Sequence, residues 1–155
     1  MKIESSAFKA GDPIPVRHTG DGEDLSPPLS WSDVPDEALE MALICDDPDA
    51  PTPQPWVHWV MCRIPAVRDG LPEAIVPASA SMQVNAMQGR NSWDRLGYGG
   101  PAPPKGHGVH HYHFKLYALD ALLVDMKPNY DKAGLLEAMQ GHVLAEAELI
   151  GTYER

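Results

Sequence analysis

Apolar and polar residues alternate most regularly between Val109 and Leu119. Val109, His111, His113, Lys115 and Tyr117 fall on one side, and His110, Tyr112, Phe114, Leu116 and Ala118 on the other. A period of two places these sets on opposite faces of a strand, and the second set is the apolar one. His110 is therefore expected to point into the protein. Two further runs, Leu39–Cys45 and Val57–Ile64, are nearly continuous in apolar residues and bounded by proline or aspartate, the pattern of buried strands. A helix is expected from an N-cap at Asp131 through Ala133, Leu135, Leu136 and Met139 to about Gly141, where glycine can end it. The tail from Ala145 to Tyr153 has helical propensity in Ala-Glu-Ala-Glu-Leu. Its strict alternation of Glu146 and Glu148 with Ala145, Ala147 and Leu149 favours a strand with one wet face.

Sixteen prolines and thirteen glycines are spread along the chain, which implies many turns and leaves little room for long helices. The stretch from Met87 to Gly108 is long, without a periodic pattern, and dense in glycine and proline between Gly97 and Pro104. A structureless connection of that length inside a compact domain is usually functional. These features predict a mainly β (α+β) protein with few short helices, one of them near the C-terminus. The 155 residues make a single domain, 1–155, the economical assumption.

Charge narrows the partners. Twelve basic and 22 acidic residues leave a net charge of −10, which repels nucleic-acid phosphates and anionic membrane surfaces. Nucleic acid is excluded as the expected partner, and so is membrane insertion, because no segment approaches the ~18 apolar residues of a spanning helix. No apolar stretch of signal length follows Met1, so a cytoplasmic location is the expectation. Cys45 and Cys62 lie in apolar runs and are expected to be reduced, buried thiols.

The unusual residues gather in three segments: Asp46-Asp47-Pro48-Asp49-Ala50-Pro51, Trp56-Val57-His58-Trp59, and Gly99 through Tyr112. Asp47 ends an apolar strand and precedes a proline that holds it extended, so a half-buried carboxylate is expected there. Taken alone, Asp46, Asp47 and Asp49 suit turn capping. His58 lies in an apolar strand and needs a polar partner if the desolvation penalty is to be met. With His110 also facing inward, two imidazoles and a carboxylate would form a cleft whose charge changes near neutral pH. The glycines of the third segment allow backbone N–H groups to approach an anion, and its prolines hold one loop shape. The glycine spacing and the Gly-Lys-[Ser/Thr] ending of a nucleotide P-loop are absent.

His107, His110, His111 and His113 crowd one segment, but no cysteine or second acidic cluster completes a metal site in sequence, so no metal and no cofactor are expected. There is no Gly-x-Ser-x-Gly elbow, and both cysteines sit within strands, so no nucleophile stands out.

Taken in order, these segments resemble the phosphatidylethanolamine-binding protein family, in its bacterial and archaeal, Raf kinase inhibitor-like form. Asp-Pro-Asp-Ala-Pro at 47–51 and the Gly-Pro-x-Pro-Pro-x-Gly-x-Gly-x-His stretch at 100–110 resemble the two signature regions of the family. Leu25-Ser26-Pro27-Pro28-Leu29-Ser30-Trp31 and the ending from Gly141 to Tyr153 extend the likeness to nearly the whole chain. The resemblance implies a large antiparallel sheet packed with a smaller one, and a pocket at one end of the sheet for phosphate, acetate or a phospholipid head group. By motif position, Asp47, Trp56, His58, His110 and Tyr112 line it, with Gly100 and Pro101 to Pro104 as its rim and Asp49, Tyr98 and His107 as further candidates. One position departs from the family pattern. Where His-Arg-Tyr is usual, this chain has His110-His111-Tyr112, which replaces a permanently charged fork by an imidazole.

The function expected on this basis is non-enzymatic binding of a small anionic ligand or phospholipid head group, with a regulatory role and an unidentified protein partner in prospect. Two alternatives stand beside it: a kinase or protease inhibitor acting through its surface, and a hydrolase using His58 or His110 as general base. Bacterial relatives often form homodimers, which adds a second copy of the chain to the candidate partners.

Overall fold

The computed structural model describes residues 1–155. Strand β8 (His110–Leu119) carries the predicted alternation: His110, Tyr112, Phe114, Leu116 and Ala118 are buried, and His111, His113, Lys115 and Tyr117 reach solvent. The tail is a strand, β9 (Val143–Tyr153), paired antiparallel with β8 along its whole length. Ala145, Ala147 and Leu149 pack on the core while Glu146 and Glu148 stay in water.

The two apolar runs are neighbouring strands, β3 (Glu40–Asp47) and β4 (Trp56–Pro65). Every residue of β3 is buried, for it lies between β4 and β8 and both faces of its sheet are covered. Met41, Leu43 and Cys45 enter one core; Ala42 and Ile44 enter the other. The six-stranded sheet has the order β6-β7-β4-β3-β8-β9, its far edge made by β6 (Ala80–Ser81) and β7 (Ala86–Gln88). A second, three-stranded sheet of β1 (Lys2–Glu4), β2 (Leu29–Ser32) and β5 (Gly70–Leu71) has the order β1-β2-β5. It supplies Ile3, Leu29, Trp31 and Leu71 to the larger core. All neighbouring strands run antiparallel.

The opposite face of the large sheet is covered by helix α1 (Lys132–Met139), through Leu135 and Met139 together with Tyr130 and Leu123. The Asp131 side chain accepts from the Gly134 N–H at 2.9 Å, so the predicted N-cap is in place. Gly141, two residues beyond the helix, takes a φ of +81° that favours glycine. No helix is long and apolar enough to cross a membrane. Both cysteines are free and buried.

Antiparallel order is what assembles the functional end of the molecule. The last residue of β3 lies beside the first of β4, Asp47 opposite Trp56, and β8 enters on the other side of β3 from the same end. Three segments far apart in sequence therefore meet at one end of the large sheet. Alternation then separates the two aspartates that end β3. Asp46 turns to the helix side, where Lys132 Nζ lies 2.7 Å away and Lys115 Nζ 3.2 Å, and Asp47 turns to the other face.

Candidate functional site

Asp47 is 3% exposed, more deeply buried than the half-buried carboxylate expected at a strand end. The cause is the cover laid over it by the 99–110 loop and by the 47–52 turn. Its Oδ1 accepts the Asp49 N–H at 2.8 Å, and its Oδ2 lies 2.6 Å from His110 Nδ1. A buried carboxylate only accepts, so His110 donates from Nδ1. The other nitrogen of His110, Nε2, is 2.6 Å from Nδ1 of His107. Asp47, His110 and His107 thus form a chain from the core to the surface, where His107 is exposed.

Both nitrogens of His110 are therefore engaged within the protein, and the ring has no free N–H to offer a ligand. When both rings are neutral, His107 donates to His110 and leaves its own Nε2 as an acceptor. An added proton on either ring leaves His107 with an N–H at Nε2. Protonation therefore leaves a donor at the exposed end of the chain, on His107, wherever the charge resides; His107 itself does not line the cavity described below.

His58 is 3% exposed and sits between Trp93 and Tyr112, with ring centroids 5.1 and 5.0 Å away and both contacts edge-on. Its polar partner is the Gly99 carbonyl, 2.6 Å from Nδ1. Burial lowers its affinity for a proton below that of a free imidazole, more than the bond to Gly99 and the charge of Asp47 raise it. An unfolded chain binds that proton more readily, so this residue's contribution to stability is lost as pH falls below about 6.5 toward the folded value. In thermal melts between about pH 7.5 and pH 5, His58→Gln is expected to show a shallower loss of stability than the parent. Parallel curves would remove His58 as the cause. Tyr112 is shifted the other way: burial, and then the charge of Asp47, hold its phenol well above the usual range, so its hydroxyl remains a donor.

These groups line a cavity of about 230 Å³. Asp47, Trp56, His58, His110, Tyr112 and Pro104, all expected from sequence, are on its wall. Gly100 and Pro101 are not; they stand behind it, and Ala102 and Pro103 form the lining instead. The Gly100 N–H donates to Asp24 at 2.7 Å, the Gly99 N–H to the His58 carbonyl at 2.9 Å, and the Gly106 N–H to the Arg155 carbonyl at 3.2 Å. These three glycine amides hold the loop itself and are not free to cradle an anion.

Tyr98 is also outside the cavity. It packs edge-on against Trp59 in the core and its hydroxyl donates to the His18 carbonyl at 2.6 Å. Asp49 lies beside the site and takes both the backbone N–H and the Nδ1 of His111, at 2.8 and 2.7 Å. Burial raises the Asp49 carboxyl, and the His111 bonds outweigh it to leave the group below the usual range. His111, in the place of the usual arginine, is thus paired, as is the outward-facing His113 with Glu148 at 3.1 Å. No group of three or more His, Cys, Asp or Glu side chains converges in a metal-binding arrangement.

Trp93 was not singled out from the sequence. It meets Trp56 edge-on at 5.4 Å and closes the cavity beside His58. Asn91 positions it, accepting from the Trp93 N–H at 3.0 Å and donating to the Gly97 carbonyl at 3.0 Å. A tryptophan in a polar loop with no apolar run of its own was the available signal. The Trp56 indole N–H is buried without a partner, in a residue that lines the cavity. The arrangement combines an aromatic wall, the Asp47–His110 end of the imidazole chain and the Tyr112 hydroxyl around the cavity, with the Trp56 indole N–H sealed behind its wall.

Relatives share this architecture across the chain. A UPF0098 protein of Methanothermobacter thermautotrophicus is 52% identical over 155 residues, covering 100% of this chain and 99% of its own. The crystal structure of a phosphatidylethanolamine-binding protein homologue from Chlamydia trachomatis superimposes with a TM-score of 0.88 at 41% identity, covering 99% of this chain and 97% of the other. That of E. coli YbcL, described as a member of the mammalian PEBP family, gives 0.91 at 34% identity, covering 99% and 98%. The family model for phosphatidylethanolamine-binding protein matches residues 4–154. On the sequence, the paired sheets and these matches together, the chain belongs to the phosphatidylethanolamine-binding protein family.

Proposed function

We propose that this protein binds a small anionic group, a phosphate, a carboxylate or the head group of a phospholipid, in the pocket at the end of the large sheet, and does so without converting it chemically. The observation that carries the reading is the Asp47–His110–His107 chain. It couples Asp47 and His110, which line the cavity together with Tyr112 and Trp56, to the exposed imidazole of His107, which lies outside the lining, through two contacts of 2.6 Å. Opposite charge and fixed N–H donors are what such a ligand needs. An Asp–His pair is also the orienting half of a hydrolytic site. Here it leads to a second imidazole, not to a hydroxyl or thiol, and both cysteines are sealed in the interior.

Calorimetric titration with inorganic phosphate and with acetate is the test. Both are expected to bind, and to lose affinity in Asp47→Asn, which disrupts the chain while keeping one accepting oxygen. Unchanged affinity in that variant, or no binding of either anion at millimolar concentration, would refute the reading. Turnover of phosphate or carboxylate esters that disappears in His110→Ala would refute its non-enzymatic part.

A further inference from the structure

His58 presents a lone pair to the cavity. Its Nδ1 lies 2.6 Å from the carbonyl of Gly99, an oxygen that can only accept, so the ring proton is at Nδ1. The ring cannot turn over to exchange its nitrogens, since Trp93 and Tyr112 grip it edge-on from two sides at 5.1 and 5.0 Å. The second nitrogen, Nε2, has no partner within the protein and is not among the buried orphan atoms, and His58 lines the cavity. In the neutral ring that nitrogen is an acceptor. Asp47, which lines the same wall, is an acceptor as well. Alongside donors that attract an anion, the pocket therefore contains two groups that repel any ligand atom bearing only lone pairs.

We propose that the pocket requires a hydrogen-bond donor on a tetrahedral anion, so that it takes protonated phosphate or a phosphate monoester and rejects sulfate and simple phosphodiesters, whereas a planar carboxylate turns both of its oxygens to the donors and none to His58. This rests on the anion-binding reading above and gives it a ligand class. A P–OH group donates to His58 Nε2 while the remaining oxygens face Tyr112 and the imidazole chain. Sulfate has the same tetrahedral shape and no proton; dimethyl phosphate has one negative charge, like dihydrogen phosphate, and no proton. Either one leaves the His58 lone pair facing an oxygen lone pair in a site with little water. An unsatisfied buried acceptor lowers affinity by about tenfold or more. The lowered proton affinity of His58 keeps the ring an acceptor in mildly acidic solution.

The same donor chemistry has two sources, a free phosphate or monoester and the ammonium group of a lipid head group, and the test separates them. Inorganic phosphate, methyl phosphate, sulfate, dimethyl phosphate and glycerophosphoethanolamine are titrated calorimetrically at about pH 6, near the second pKa of a phosphate monoester. Phosphate and methyl phosphate are expected to bind about tenfold or more tightly than sulfate and dimethyl phosphate. Glycerophosphoethanolamine matching methyl phosphate assigns the donor to a head-group ammonium as well; falling with dimethyl phosphate, it assigns the site to free phosphate or a monoester. Sulfate or dimethyl phosphate binding as tightly as phosphate overturns the donor requirement and leaves anion binding standing. No binding by any of them overturns both.

His58→Phe, which removes the acceptor, is expected to bring the ratio of phosphate to sulfate affinity toward one, and an unchanged ratio overturns the assignment to His58. Should that variant not fold, nitrogen-15 spectra of the parent protein decide. Nε2 of His58 is expected to show the shift of a bare imidazole nitrogen and to move on addition of phosphate but not of sulfate; a protonated Nε2 in the free protein overturns the proposal.

Discussion

Asp47→Ala is expected to destabilise the fold by about 3 kcal/mol and to abolish phosphate binding. The carboxylate accepts two hydrogen bonds, from His110 Nδ1 at 2.6 Å and from the Asp49 N–H at 2.8 Å, in a place where water does not reach. Alanine leaves the His110 Nδ1–H buried and unpaired, which breaks a buried Asp–His pair and costs about 3 kcal/mol, while the Asp49 N–H lies in an exposed turn and adds little. At this chain length a loss of that size lowers the melting temperature by about 6–12 °C. Binding fails for a separate reason: without the carboxylate nothing holds His110 in the Nδ1–H tautomer whose Nε2 accepts from His107. Asp47→Asn keeps one accepting oxygen and is expected to lose about half as much stability, while still disrupting the chain. Urea denaturation of the two variants, paired with phosphate titration, checks both parts. A change of less than about 1 kcal/mol for alanine would mean that the buried pair contributes little net stability.

Gly100→Ala is expected to have an effect of similar size through sterics alone. A methyl group there would stand 2.5 Å from Asp24 Oδ1 and 2.9 Å from Thr19 Cα, with the His18 carbonyl closer still. Those neighbours cannot retreat. His18 and Thr19 are buried, and the His18 carbonyl already accepts the Tyr98 hydroxyl at 2.6 Å. Backbone pressed on backbone costs about 3 kcal/mol or more. The displaced loop would carry Ala102 and Pro103 out of the cavity wall, so phosphate affinity should fall as well. Gly106→Ala is the matched control: its φ of +76° makes alanine strained, but the space around it is open. It should lose only about 1 kcal/mol. Equal losses at the two positions would assign the effect to loop flexibility instead of the contact with His18 and Thr19.

Much of the fold was readable because it depends on local periodicity. Alternation from His110 to Ala118 gives the correct inward face of β8, and Asp131 and Gly141 bracket α1 closely. The tail, where propensity and alternation disagreed, became a strand because β8 offers a partner along its whole length. The unbroken burial of β3 has no period to read. It reflects two covered faces, which is a property of the sheet and not of the seven or eight residues themselves.

The candidate site was readable in its members and not in its wiring. Asp47, Trp56, His58, His110 and Tyr112 meet as expected. Which atom serves which partner was not visible. His58 is tied to a carbonyl 41 residues away, and Gly100 to a carboxylate 76 residues away. Loop amides looked available for an anion because sequence shows that glycine permits close approach without showing what already occupies the N–H. Tyr98 looked like a rim residue for the same reason, and Trp93 was overlooked because its neighbours in sequence are polar while its neighbours in space are Trp56 and His58.

By itself, then, the sequence determined the strands, the helix and the residue types available at one end of the sheet, since these follow from spacing along a single chain segment. Only the tertiary structure decided that both nitrogens of His110 are engaged, that a distant carbonyl holds the His58 ring proton at Nδ1, and that the Gly99, Gly100 and Gly106 amides brace their own loop. The physical reason is that a hydrogen-bonding group has few bonding directions. Which partner takes each one is settled by segments that approach only when the sheets pack.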